Sequence, residues 1–227
     1  MNILITGSKG FIGKNLLFYF KSQGIKVLTF DRGDELKRLE SNINKVSFIF
    51  HLAGINRPNK VQEFIQNINL TKKICKIAEK SIKKIPIVFA SSIQVNQKNP
   101  YGDSKLEAEK IIVEYSKKKE VSIYLYRLPN IFGKWSKPNY NSFIATICFN
   151  LINNLPISIH DNKKMMELVY IDDLVNSFFK VFKGYKDKKI SKIKYDSCIF
   201  TCNFSSSCWF SVSSIKYGII LYLCASR

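Results

Sequence analysis

The 227 residues are 46% hydrophobic, enough to build the core of one sizeable domain, or of one domain with a small lobe. The formal charge of +19 rests on 31 lysines and only 5 arginines, scattered in pairs such as Lys72-Lys73, Lys83-Lys84 and Lys163-Lys164. Dispersed lysine lacks the guanidinium fork that favours base and phosphate readout. This sets nucleic acid aside and leaves a solvated surface attractive to an anionic nucleotide. Met1 leads straight into "NILITG" without a basic leader, and the late apolar run "YGIILYLCA" is far shorter than the roughly 18 residues of a membrane span. A cytoplasmic protein without a membrane partner is expected. The six cysteines, at 75, 148, 198, 202, 208 and 224, form no CxxC pair, so neither a disulfide framework nor a metal site is expected.

Along the chain, "NILIT" (2–6) reads as a buried strand, "GFIGKNLLFYFKSQG" as a helix closed by Gly24, and "IKVLTF" (25–30) as the second strand. "KVSFIFHLAG" supplies a third strand, followed by a helix over about 61–82. "IPIVFA" supplies a fourth, followed by a helix over about 103–118, and "VSIYLY" (121–126) a fifth. Apolar strands alternating with helices predict an α/β fold, a Rossmann-type doubly wound parallel sheet covered on both faces.

After Arg127 the rhythm changes. "LPNIFGKWSKPNYNS" reads as loop, a helix is expected over about 141–153, and "ELVYIDDLVNSFFKVFKG" reads as a short strand and helix. These form a small, incomplete substrate lobe over about 128–187, above a core of about 1–127. Residues 188–227 are an atypical tail. Within it, 197–227 hold eight serines and four cysteines but only two charges, Lys216 and Arg227, and no helix or strand period emerges.

"TGSKGFIG" sets Gly7, Gly10 and Gly13 at GxxGxxG spacing, directly after a strand and opening a helix. Glycines allow a pyrophosphate close to the backbone, and the helix N-terminus offers free N–H donors. Lys9, Phe11 and Ile12 share that turn and are expected along the dinucleotide. Asp31, ending the second strand, suits the ribose hydroxyls of NAD. Arg32 beside it suits the 2′-phosphate of NADP, and these residues alone leave the choice open.

"SSIQVNQKNPYGDSK" (91–105) closes the fourth strand with hydroxyls and follows them with a phenol and an amine. Hydride transfer to a ketone needs a proton for the developing alkoxide. Tyr101 can supply it, and Lys105, one helical turn on, can stabilise the phenolate. A serine at the strand end can hydrogen-bond the carbonyl oxygen.

Gly7/Gly10/Gly13, Ser92, Tyr101 and Lys105, together with "HLAG", "RLPNIFG" and "ELVYIDDL", resemble the extended short-chain dehydrogenase/reductase family of nucleotide-sugar epimerases, dehydratases and reductases over roughly residues 1–185. "HLAGINRP", "SSIQ…NPYGDSKLEAE" and "YRLPNIFGKWSKPNYNS" resemble more narrowly its capsular-polysaccharide subgroup, in which a reductase domain precedes a zinc-binding cupin. The resemblance implies NADPH, with NAD(H) as the alternative, a UDP-sugar substrate and a homodimer. It implies reduction of the C4 keto group of a UDP-linked 2-acetamido-2,6-dideoxy-4-keto-hexose, giving UDP-N-acetyl-6-deoxy-L-talose on the way to N-acetyl-L-fucosamine. Tyr101 would then protonate the C4 oxygen, Lys105 tune Tyr101 and hold the nicotinamide ribose, and Ser92 orient the carbonyl, with Ser91 as the second choice. Ala53 and Gly54 would line the cofactor, and Asn130, Tyr140 and Asn141 the sugar nucleotide. Dehydratases of the family carry an Asp–Glu pair where this chain has Ile93 and Gln94, so dehydration is disfavoured. A NAD-dependent UDP-sugar 4-epimerase and a non-catalytic dinucleotide-binding module are the alternatives. The subgroup's pattern stops near residue 187 and its cupin is missing, so C3 epimerisation is not expected. The tail resembles an out-of-frame reading of a lysine- and isoleucine-rich gene; a genuine variant tail is the alternative.

Overall fold

Ile3–Thr6 (β1) and Phe48–His51 (β3) are buried at every position, which requires a strand covered on both faces. The computed structural model describes residues 1–140, 142–157, 165–186, 200–203, 209–215 and 218–224. β1 and β3 lie in a five-stranded sheet with Val27–Phe30 (β2), Ile87–Ser92 (β4) and Ile123–Leu128 (β5), in the order β2-β1-β3-β4-β5. Every pairing in it is parallel. The chain leaves β1 toward β2 and returns on the other side at β3. The switch point, where such sheets bind ligands, therefore lies above the ends of β1 and β3.

Helices cover both faces. Leu36–Lys45 (α2), Ile65–Lys80 (α3) and Pro100–Lys119 (α4) bury Leu39, Ile43, Ile74, Ala78, Ile112 and Tyr115 against one face. Phe11–Ser22 (α1) covers the other with Leu16 and Phe20. α2 escaped the sequence reading because its apolar face is only Leu39 and Ile43 in an otherwise polar segment. α4 begins at Pro100 rather than near 103. The Asn99 side chain accepts the Gly102 amide at 2.8 Å, and a proline at the first helical position needs no partner for an N–H.

Two expectations for the second half are corrected. Asn130–Phe132, taken as loop, is a strand (β6) paired in parallel with Met165–Tyr170 (β7). Ile171–Lys186 (α6), grouped with the lobe, instead packs on the α1 side of the main sheet through Leu174, Val175, Phe178, Val181 and Phe182. Those positions form one helical stripe, and Phe178 and Phe182 reach Phe50 and Phe48 from β3. The lobe keeps Phe143–Ile152 (α5), within the expected 141–153, and the β6–β7 pair.

The tail also differs from its reading. Phe200–Asn203 (β8) pairs antiparallel with β7, and Trp209–Ile215 (β9) with Gly218–Cys224 (β10). These segments are rich in aromatic and β-branched residues, which favour strands even without clean alternation. No helix among the described residues is long and apolar enough to cross a membrane.

Candidate active site

The glycine turn sits between β1 and α1, and each glycine has a different reason to be there. Gly7 adopts φ +76°, and a Cβ on it would stand 2.8 Å from the Ala53 backbone. A Cβ on Gly13 would stand 2.1 Å from the Gly7 carbonyl oxygen, so this glycine serves the packing of helix on turn. Gly10 has only that carbonyl within 4 Å, at 3.2 Å, so the space above it is open. As the N-cap of α1 it offers no side-chain cap, and the amides of the first turn remain for an anion. Lys9 is exposed, while Phe11 and Ile12 lean on the second core.

Asp31, the candidate for the ribose hydroxyls, also ties the end of β2 to the glycine turn. It is buried, with one carboxylate oxygen accepting the Ser8 hydroxyl at 2.6 Å and the other the Lys9 amide at 3.0 Å. Its own amide bonds Asp34 at 2.9 Å. Arg32 is exposed and has no ion pair among the described residues.

The start of α4 places Tyr101 and Lys105 one turn apart. The Lys105 ammonium is buried, donates to the Ala90 carbonyl at 2.8 Å, and lies 6.0 Å from the Tyr101 ring centroid and 4.8 Å from that of Phe89. A Cβ on Gly54 would stand 3.0 Å from this ammonium, a tight approach to which the end of the lysine side chain would have to yield. Burial lowers the Lys105 pKa to about 8, against the opposing pull of Glu109. Burial also pushes the Tyr101 phenol up to about 12. Desolvation alone sets this rise, and the Lys105 ammonium is engaged with the Ala90 carbonyl. A phenol so raised stays protonated at neutral pH, the state a proton donor needs.

Ser92 ends β4 with its hydroxyl accepting the Gln94 amide at 3.2 Å. Ser91, its neighbour, points elsewhere. It donates to Glu109 at 2.5 Å, and Glu109 takes a two-pronged bond from Arg127 at 3.1 and 2.8 Å. Alternation along a strand separates the two serines, and Ser91 belongs to this ion-paired anchor of α4 rather than to the substrate side.

From the lobe, the Asn130 side-chain oxygen is buried with no hydrogen-bond partner among the described residues, a cost normally met by a donor. The Tyr140 hydroxyl donates to Asn56 at 3.2 Å, with Arg57 5.8 Å from its ring centroid, joining the lobe to the turn after β3. Asn141 lies outside the described residues. Asn56, Asn67, Thr71, His51 and Glu109 escaped the sequence reading. The Asn67–Thr71 pair, polar residues four apart on an otherwise apolar helix face, was the signal available for two of them.

Residues 3–193 match the NAD dependent epimerase/dehydratase family, and the chain belongs to it. It is 43% identical over 193 residues to the UDP-2-acetamido-2,6-beta-L-arabino-hexul-4-ose reductase of Pseudomonas aeruginosa, covering 84% of this chain and 52% of that protein. Its structure matches that of the capsular polysaccharide assembling protein CapF from Staphylococcus aureus with a TM-score of 0.76 and 38% identity, over 90% of this chain and 56% of that one. A UDP-N-acetylglucosamine 4-epimerase from Bacillus cereus matches with a TM-score of 0.73 and 25% identity, over 88% of this chain and 78% of that one. The chain thus spans about half the length of the reductase and of CapF.

Proposed function

We propose that this chain is an NADPH-dependent nucleotide-sugar oxidoreductase, reducing the C4 keto group of a UDP-linked 2-acetamido-2,6-dideoxy-4-keto-hexose. The product would be UDP-N-acetyl-6-deoxy-L-talose, a cytoplasmic precursor for capsular or surface polysaccharide carrying N-acetyl-L-fucosamine. The observation that carries this reading is the Lys105 ammonium, 6.0 Å from the Tyr101 ring centroid and 3.0 Å from the position of a Cβ on Gly54, whose neighbour Ala53 closely approaches Gly7 of the glycine turn. The likeness to the Pseudomonas reductase supports the choice of substrate.

The cradle suits a dinucleotide, because the space above Gly10 is the one a side chain would fill and the amides of α1 open onto it. A reduced nicotinamide bound there would supply the hydride. In this reading the Tyr101 phenol would deliver the proton to the C4 oxygen, Lys105 would tune Tyr101 and hold the nicotinamide ribose, and Ser92 would orient the carbonyl. Asn130 and Tyr140, with Asn141, would receive the UDP-sugar, the buried Asn130 oxygen accepting from a donor on it. The engagement of Asp31 with Ser8 and Lys9 and the exposure of Arg32 favour NADPH over NADH. Ile93 and Gln94, in the turn after β4, offer no acid–base pair for dehydration. In this reading residues 1–187 form the dinucleotide-binding unit and its lobe, and the protein pairs as a homodimer.

The test is incubation of the purified chain with NADPH and the UDP-4-keto sugar, following nicotinamide absorbance and the product. Stoichiometric NADPH oxidation with reduction at C4 is expected. Sugar interconversion without net oxidation would make it a 4-epimerase, and tight binding without either reaction a non-catalytic module.

A further inference from the structure

Under the turn that carries Ala53 and Gly54 lies a buried imidazole outside the roles assigned above. His51 is 2% exposed, with its ring 5.2 Å from that of Phe89. Its Nδ1 is 2.8 Å from the Thr6 hydroxyl and its Nε2 is 2.9 Å from the Thr71 hydroxyl.

The surrounding bonds settle where the protons are. Thr71 has one hydroxyl proton and donates it to the Asn67 carbonyl at 2.8 Å, so its oxygen accepts from His51 Nε2–H. Nδ1 then carries no proton and accepts from Thr6, whose oxygen in turn accepts the Ala53 amide at 3.2 Å. The bonds run one way, from the Ala53 amide through Thr6, His51 and Thr71 to the backbone of α3. A proton on Nδ1 would break this order, and burial, helped by the nearby Lys105 charge, holds the imidazole neutral, lowering its pKa to about 3.

The far side of the same turn is fixed separately. The Asn67 side chain accepts the Ile55 amide at 2.7 Å and donates to the Ile55 carbonyl at 2.9 Å and to Ser104 at 3.3 Å. Ser104 donates to the Tyr101 carbonyl at 2.8 Å, so the α3 anchor of His51 also ties to the first turn of α4. Between these two fixings, the turn has little freedom. Ala53 stands 2.8 Å from the position of a Cβ on Gly7, and the Lys105 ammonium 3.0 Å from that of one on Gly54.

We propose that His51 is a positioning residue for the dinucleotide site: as the neutral Nε2–H tautomer it locks the Ala53–Gly54 turn at the spacing from Gly7 and Lys105 that the cofactor requires. The proposal rests on the dinucleotide reading above. The residue acts through the turn and touches neither cofactor nor substrate. An apolar side chain in its place would leave the hydroxyls of Thr6 and Thr71 without their shared partner and the Ala53 amide on a less constrained acceptor.

The experiment uses the whole chain and two readouts independent of turnover: imidazole ¹⁵N chemical shifts and NADPH affinity by fluorescence titration. The wild type should show His51 as a single Nε2–H tautomer. Thr71→Val, which keeps the shape and removes the hydroxyl, should produce a tautomer mixture and weaken NADPH by about tenfold. Thr71→Ser, which restores the hydroxyl, should recover both. A wild-type Nδ1–H tautomer overturns the proposal, as does Thr71→Val binding NADPH like wild type. Equal losses in Thr71→Ser and Thr71→Val also overturn it, by assigning the effect to packing. If Thr71→Val does not fold, His51→Phe is read in its place, and wild-type affinity in that variant overturns the positioning role. A wild type that binds no dinucleotide at all refutes the proposed function, and the positioning role with it, even if the tautomer is as assigned.

Discussion

The Ser8 hydroxyl donates to the Asp31 carboxylate across 2.6 Å, which makes the acid at the end of β2 an anchor for the glycine turn. Because the anchor serves the turn as a whole, Asp31→Ala should weaken NADPH and NADH by similar factors. It should also cost about 2 kcal/mol of stability for the buried charge-assisted bonds lost. Arg32→Ala should behave differently, weakening NADPH far more than NADH, since only NADPH carries a phosphate for the guanidinium to fork. Titrating both cofactors against both variants checks this. A wild-type preference for NADH, or a loss in Asp31→Ala confined to NADH, would return Asp31 to the ribose.

The glycines of the turn should separate by phenotype. A side chain at Gly10 meets only the Gly7 carbonyl, 3.2 Å from its Cβ, so Gly10→Val should fold with a modest loss of stability yet lose dinucleotide binding. Gly13→Ala places its Cβ against the Gly7 carbonyl and should fail at the level of folding. Circular dichroism melts with cofactor titration distinguish the two. A folded Gly10→Val protein with undiminished affinity would remove the cofactor from this cradle.

Much of this was available from the sequence because it depends on local chemistry. Apolar runs announced the five parallel strands, and glycine spacing marked the turn after β1. Tyr101 and Lys105 fell on one helix face because their separation is one turn. What escaped depends on contacts between distant segments. The bond from Ser91 to Glu109 and Arg127 spans β4, α4 and β5. The four bonds through His51 join β1, β3 and α3. α6 read as part of the lobe because chain order follows β7, whereas its Phe178 and Phe182 find their partners on β3. Periodicity gives the apolar face of a helix but not the surface that will cover it.

Tyr101→Phe removes a phenolic proton and little else. NADPH affinity should therefore persist while reduction of the UDP-4-keto sugar falls by roughly 10²-fold or more. Steady-state kinetics beside cofactor titration decide it, and near-normal turnover would dismiss Tyr101 as the proton donor.

Lys105 should carry a stability cost that depends on pH. Burial holds its pKa at about 8 in the folded protein, against 10.5 in an ordinary lysine. The unfolded chain therefore binds more protons between those values, and stability rises with pH across the window. Lys105→Met should be the more stable protein at pH 7, by on the order of 1–3 kcal/mol, even though it removes a residue of the proposed site. Its advantage should shrink as pH climbs from 8 to 10.5. Urea melts of both proteins across that range test the sign, and an advantage that grows with pH would contradict the burial argument.

The last prediction concerns the tail. Residues 197–227 carry only two charges, a composition unlike that of the preceding chain. If the tail is out-of-frame sequence, the cooperative unit is complete without it. Removing residues 188–227 should then leave the unfolding temperature within about 2 °C of the full chain and raise solubility, by deleting an apolar segment without gatekeeping charges. Limited proteolysis of the full chain should nick it between residues 186 and 196, leaving a stable fragment that still binds NADPH. The opposing expectation follows from β8, which adds an antiparallel strand to β7. If that pairing closes the lobe, truncation should lower the unfolding temperature by several degrees and the tail should resist cleavage. Mass analysis of the digest beside melts of the two proteins separates the outcomes, and a protected, stabilising tail would refute the out-of-frame reading.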